Sequence, residues 1–276
     1  LLNEISLTLG VWVQTDLTYN GGNILFTDII KQNQKSWDKV AHHFNGVDAL
    51  PSYGPFAQTE DELGLLGEIT NKTVLDVGCG SGHSLRYMAD KGAKELWGID
   101  LSEAQIKAAK ETLQNLKANL FCSPMEVDSG IPKQYFDVVY SIYAIGWTTN
   151  LAATFELIHS YLKPGGSFVF SWDHPLYAHL KSEKGQIYLN GSYQNEGVTK
   201  YPNFKGEEAP VVIPKRKMAT YINELIKAGF KIEAVIESEV SSQFDEVSEA
   251  ISDRYYSLYK ARKFPTTIII KANKSS

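Results

Sequence analysis

The stretch from Thr73 to Asp100, TVLDVGCGSGHSLRYMADKGAKELWGID, constrains the fold more than any other part of the chain. The apolar run TVLDV is followed at once by glycines at 78, 80 and 82, and a second apolar run, ELWGID, ends on Asp100. Short apolar runs bounded by turn residues read as buried strands, and SLRYMADKG between them reads as a helix closed by Gly92. A glycine-rich turn between a strand and a helix lets backbone approach a ligand closely.

The alternation continues. SEAQIKAAKETLQNL (102–116) predicts a helix opened by a capping box, Ser102 with Gln105. ANLFCS, YFDVVYSIYAI and SFVFSW (167–172) supply further strands. LAATFELIHSYL is helical and stops at KPGG, where Pro164 cannot continue a helix and Gly165 suits a left-handed cap. A last helix pattern, ATYINELIKAG, precedes the strands FKIEAVIES and TTIIIKA, with another helix expected over 244–261. Short apolar strands alternating with helices predict a Rossmann-like, doubly wound α/β fold, a mostly parallel seven-stranded sheet with helices on both faces.

Three further regions flank or interrupt this core, which is expected to span 61–175 and 217–276. Residues 1–60 read as an N-terminal helical lid, in which QKSWDKVAHHF places Trp37, Val40, Ala41 and Phe44 on one face. LPSYGPF (50–56) follows as a turn. Residues 176–216 are rich in tyrosine and read as a cap insertion, with Asn190-Gly191 as the strongest hairpin signal.

Composition narrows the function. With 276 residues, 43% of them hydrophobic, the chain can bury one sizeable core. A net charge of −5 argues against a nucleic-acid partner or an anionic membrane surface. No apolar run approaches the ~20 residues of a membrane span. Cys79 and Cys122 read as small buried residues of a reducing compartment, and with no signal-peptide pattern at this terminus a cytoplasmic location is expected. Adjacent His42 and His43 would diverge by about 100° on a helix, and no metal site is expected there.

The glycine spacing separates ligand classes. A dinucleotide fingerprint needs its third glycine one position later than Gly82, and a P-loop needs Lys-Ser/Thr where His83-Ser84 stands. Asp76 and Asp100 flank the turn; a carboxylate suits a ribose diol, and an acidic rim suits a cationic ligand. S-adenosylmethionine has a ribose and a cationic end. In their order and spacing, VLDVGCGSG, GIDLS, FDVVYS and LKPGGSFVFS resemble the class I S-adenosylmethionine-dependent methyltransferases, above all the small-molecule, ubiquinone-methyltransferase-like branch. The resemblance is strong over 72–175 and weaker at YINELIKAGFKI.

The resemblance implies roles for individual residues. Gly78, Gly80 and Gly82 would pass under the methionine and ribose parts, with Asp76 near the amino group. Asp100 would take the ribose hydroxyls, and Leu101 would pack on adenine. Where relatives place an Asp-Ala pair, this chain has Pro124-Met125. Met125 would keep the backbone contact to adenine, with Glu126 or Ser123 replacing the acid. Ser141 and Tyr143 would face the sulfonium end, and the product would be S-adenosylhomocysteine.

SWDHP (171–175) follows the fifth strand and places His174 and Asp173 at the crevice mouth. His174 reads as a general base or an orienting group with Asp173 on its other ring nitrogen, or else as a loop cap before Pro175. Tyr140, Tyr143, Trp147 and Trp172 are candidates to line the pocket, and Tyr53 is a candidate lid residue. A small-molecule acceptor is expected; a non-catalytic S-adenosylmethionine-binding protein and an RNA or protein methyltransferase are the alternatives. YSIY stands where nucleic-acid amino-methyltransferases carry Asn/Asp-Pro-Pro-Tyr/Phe.

Overall fold

The computed structural model describes residues 17–19, 22–24, 26–248 and 250–276. The N-terminal part contains β1 (Leu17–Tyr19), β2 (Gly22–Ile24), α1 (Phe26–Val40) and α2 (Glu60–Leu63). The core then runs β3 (Thr73–Val77), α3 (His83–Asp90), β4 (Glu95–Asp100), α4 (Glu103–Thr112) and β5 (Ala118–Cys122). It continues through β6 (Phe136–Ser141), α5 (Leu151–Tyr161) and β7 (Leu162–Asp173). The insertion holds β8 (Leu180–Glu183), β9 (Gln186–Leu189), β10 (Gly197–Tyr201) and β11 (Val211–Lys215). The chain closes with α6 (Met218–Lys227), β12 (Phe230–Glu237), α7 (Leu258–Ala261) and β13 (Thr267–Lys274).

Seven strands form the central sheet in the order β12-β13-β7-β6-β3-β4-β5. Only β13 runs against its neighbours. Every residue of β3 is buried, as a strand covered on both faces requires. After β5 the chain returns to the other side of β3 to lay down β6, so the strand order reverses between β3 and β6. A doubly wound sheet opens a ligand crevice at such a switch point, beyond the carboxyl ends of the strands. Among the described residues, no helix is long and apolar enough to cross a membrane.

Four local expectations are corrected. The hairpin turn of β8–β9 is Lys184-Gly185, not Asn190-Gly191: both residues have positive φ (50° and 78°), the requirement of a two-residue turn with the strands' twist. α5 ends at Tyr161 with Leu162 already extended, so Gly165 (φ 76°) serves an irregularity at the start of β7 and not a helix cap. Within 244–261 the only α-helix among the described residues is α7, capped by the Ser257 side chain. The segment before it is held by tyrosines instead, with Tyr256 stacked on Tyr177 at 5.9 Å. Cys79 is buried, but Cys122 is exposed because it ends β5, the sheet's edge strand.

Gly82 caps the start of α3 with φ 81°. A β-carbon there would stand 3.1 Å from the Ala109 side chain and 3.2 Å from its backbone. The glycine therefore lets α3 and α4 approach, which is a packing role. Gly82→Ala should cost about 1–3 kcal/mol through overpacking and backbone strain. A urea titration checks this: the midpoint should fall with the slope unchanged.

Candidate cofactor and acceptor site

The glycine turn hangs from the end of β4. The N–H groups of Gly78 and Cys79 both donate to the Ile99 carbonyl (2.8 and 3.0 Å), and Gly80 donates to Asp100 Oδ2 (2.9 Å). The other oxygen of Asp100 accepts from the Ser102 N–H at 2.9 Å. One carboxylate thus fixes the turn and the start of α4. The Ser102 hydroxyl caps α4 at the Gln105 N–H, but the reciprocal arm of the capping box is not made. The α1 residue Asp38 also accepts from Ser102 Oγ (2.6 Å) and from the Ala104 N–H (3.1 Å), docking α1 on the same helix end.

Above the turn lies a cavity of about 870 Å³. Its floor carries Asp76, Gly78, Gly80, Asp100, Leu101, Ser123, Met125 and Glu126. Its far wall is aromatic: Trp37 and Phe44 from the N-terminal segment, Phe204 from the stretch between β10 and β11, then Tyr143, Trp147 and Trp172. Trp37 makes edge contacts with Trp147 (5.2 Å) and Phe204 (5.0 Å), so lid, core and insertion meet in one cluster. Gly146 permits this wall, since a β-carbon there would lie 1.8 Å from the Trp172 ring.

Burial raises the Asp76 carboxyl well above the ordinary range, and the charge of Asp100 adds to it. Burial raises Asp100 too; its backbone hydrogen bonds pull it back and the charge of Asp38 pushes it up. Glu126 is pinned through Oε1 by the N–H (2.8 Å) and hydroxyl (2.7 Å) of Thr149. At the acceptor end, Asp173 Oδ1 accepts from the hydroxyls of Tyr143 and of Tyr256 (2.6 Å). Burial again lifts the Asp173 carboxyl, against the tyrosine hydroxyls that lower it. Tyr143 adopts φ 55°, a strained backbone for a non-glycine residue, anchored by its N–H on Ser171 Oγ at 3.0 Å.

Several sequence-predicted residues stand elsewhere. Ser141 is buried with its hydroxyl on the Val77 carbonyl (2.6 Å), and Tyr140 is buried in the core; neither lines the cavity. Nor does Gly82. His174 faces away: its Nδ1 accepts from the Leu176 N–H (3.2 Å), so its Nε2 carries the proton and donates to Glu237 Oε1 (3.0 Å). Asp173 gives it no hydrogen bond. Tyr53 is fully buried with its hydroxyl on Glu60, which also accepts from the N–H groups of Leu65 and Leu66. Tyr53→Phe should therefore cost about 1–2 kcal/mol of stability by denaturation and leave cofactor affinity unchanged by calorimetry.

The methyltransferase-domain family model matches residues 56–200, over half of the chain. The chain is an S-adenosylmethionine-dependent methyltransferase. A Haemophilus influenzae protein of unassigned function is 31% identical over 66% of this methyltransferase and 76% of its own length. An S-adenosylmethionine-dependent methyltransferase from Mesorhizobium loti superposes with a TM-score of 0.65 at 28% identity, over 77% of this chain and 95% of that one. A malonyl-[acyl-carrier protein] O-methyltransferase from Priestia megaterium is 30% identical over 43% of this chain and 46% of its own. A tRNA U34 carboxymethyltransferase from Actinobacillus succinogenes is 30% identical over 50% of this chain and 44% of its own. The methyltransferase therefore spans less than half the length of those two enzymes.

The residues present fit the cofactor. Among the described residues, Gln105 Oε1 and His83 Nε2 are buried without a hydrogen-bond partner, and both side chains line the cavity beside the turn. A β-carbon on Gly80 would meet only Gln105 Oε1, at 3.9 Å, so the turn presents open backbone. Two burial-strained carboxylates suit a cationic ligand. Gln105, His83, Trp37, Phe204 and Tyr256 have no signal in the sequence beyond helix or loop patterns; only folding gathers them here.

Proposed function

We propose that this methyltransferase acts on a small neutral or cationic acceptor, held against Asp173 and the aromatic wall. The observation that carries this reading is the chemistry of the acceptor end. A carboxylate bearing two tyrosine hydroxyls sits among Trp147, Trp172 and Tyr143, in a cavity whose other acids are Asp48, Asp76, Asp100 and Glu126. Among the described residues, its basic lining groups are Lys205 and His83. Such a surface repels phosphates and carboxylates and favours polarised N–H or O–H groups and ring-stacked cations. The volume lies within the roughly 300–1,000 Å³ of small-molecule sites.

Asp100 and Leu101 would hold the ribose and adenine, and Asp76 with Gly78 and Gly80 the amino-acid end; Met125 and Glu126 flank them. The bound cofactor supplies a methyl group already activated on a sulfonium. The protein's own work is alignment: Asp173 and Tyr143 orient the acceptor, and the aromatic wall excludes water. Positioning of this kind contributes on the order of 7–11 kcal/mol. S-adenosylhomocysteine release measured over amines, phenols, carboxylic acids, an acyl-carrier protein and tRNA tests the reading. Turnover is expected with neutral or amine acceptors; turnover confined to tRNA or a carrier protein would sink it.

A further inference from the structure

The seam between lid and insertion carries three ligating side chains on its outer side. His42 and His43 lie in the 3-10 turn Ala41–Phe44 that follows α1, and Glu207 lies in the insertion. Both histidines aim Nε2 at the same carboxylate oxygen, at 3.3 Å and 2.9 Å. The rings are 4.2 Å apart and tilted by only 34°, and one ligand atom from each residue lies within 4.8 Å of the others. α1 ends at Val40, and although adjacent residues of a 3-10 turn leave its axis about 120° apart, the two side chains converge on Glu207 from the end of the turn, so the divergence expected of adjacent helical histidines does not separate the rings.

The protonation pattern adds a second observation. His42 Nδ1 lies 3.2 Å from the Lys39 carbonyl, which can only accept, so the ring proton is on Nδ1. In the neutral ring, Nε2 of His42 then turns a lone pair toward a carboxylate oxygen and a second imidazole. A proton on His43 satisfies one of those contacts; a cation satisfies all of them. An Nδ1–H held by a backbone carbonyl is also the support that metal-binding histidines take. Two imidazoles with one carboxylate form a donor set for zinc and its transition-metal neighbours, not for magnesium or calcium. Ligands bonded at about 2.0–2.1 Å to tetrahedral zinc lie about 3.4 Å apart. The two nitrogen–oxygen separations, 3.3 Å and 2.9 Å, already lie near this value.

We propose that His42, His43 and Glu207 bind one zinc-class divalent ion that clasps the lid to the insertion over the cavity mouth. The seam is already zipped below the site: Ser36 Oγ donates to the Pro210 carbonyl (2.6 Å), and Asn33 exchanges two bonds with Val212 (2.8 Å each). The ion fastens its outer end. Phe44, next to His43, and Phe204, three residues before Glu207, both line the cavity, so closure of the clasp fixes two aromatic flaps.

The test uses the whole chain, stripped with a chelator and titrated with zinc against a chromophoric competitor at pH 7.5. One ion per chain is expected, with a dissociation constant on the order of micromolar or tighter. Glu207→Gln and His43→Ala should each weaken it at least tenfold, as loss of one of three ligands requires. Thermal unfolding of the metal-free variants verifies that they fold. Zinc should also slow amide exchange in 41–44 and 204–210 in the wild type and not in Glu207→Gln. No stoichiometric binding, or equal affinity in Glu207→Gln, would overturn the site. Binding without slowed exchange would overturn the clasp.

Discussion

Asp100→Ala should weaken S-adenosylmethionine binding by at least tenfold in a calorimetric titration. Two losses combine. The first is the contact proposed between Asp100 and the ribose hydroxyls, and a hydrogen bond to a charged group is worth about 1.5–3 kcal/mol. The second is internal: the carboxylate accepts from Gly80 and Ser102, both at 2.9 Å, and so shapes the turn that the cofactor lies against. Removing it strands two N–H donors at the crevice floor and frees the glycine turn to move. Asp100→Asn separates the two losses. Its amide keeps one acceptor oxygen but turns an NH₂ group toward the other donor, so its affinity should fall between wild type and alanine. Wild-type affinity in the alanine variant would remove Asp100 from the site altogether.

The part of this region that is legible in the sequence is the part built from local signals. Apolar runs mark all seven central strands, and the glycine turn with its two flanking acids marks the crevice, because both depend on residues close in the chain. Gly82 shares the alternate spacing of Gly78 and Gly80, yet it serves the approach of α3 to α4. Spacing alone cannot separate a glycine that admits a ligand from one that admits a helix. Tyr53 fails for a related reason. A turn-rich stretch suggests exposure, but its hydroxyl satisfies the buried Glu60. The acceptor end is the least legible. Tyr256 reaches Asp173 across 83 positions from a segment whose pattern suggests a helix, and Trp37 and Phe204, far apart in the chain, meet only in the folded structure.

His174 and Asp173 are adjacent in the sequence, and the contrast between them gives the second large effect. Asp173→Asn should lower turnover by on the order of 10²-fold, the cost of a misplaced acceptor in a reaction driven by alignment, with cofactor affinity within threefold of wild type. The asparagine keeps an oxygen for the Tyr143 and Tyr256 hydroxyls, so the pocket should hold its shape while its charge is lost. The wild-type rate should also carry an acid limb. Burial raises the Asp173 carboxyl above its ordinary value of 3.8, so the ionised form grows in only above that value and activity climbs with pH through it. Asp173→Asn should abolish that limb. His174→Gln is expected to behave differently. Both ring nitrogens are occupied by Leu176 and Glu237, and the ring is buried outside the cavity, with burial pushing its pKa below 6.5. Breaking those bonds should cost about 1–3 kcal/mol of stability. Turnover per folded molecule should stay within threefold, and the pH profile should not move. If instead the histidine variant lost turnover and the aspartate variant kept it, the acceptor would lie on the His174 side of Trp172 and the reading of Asp173 would be wrong.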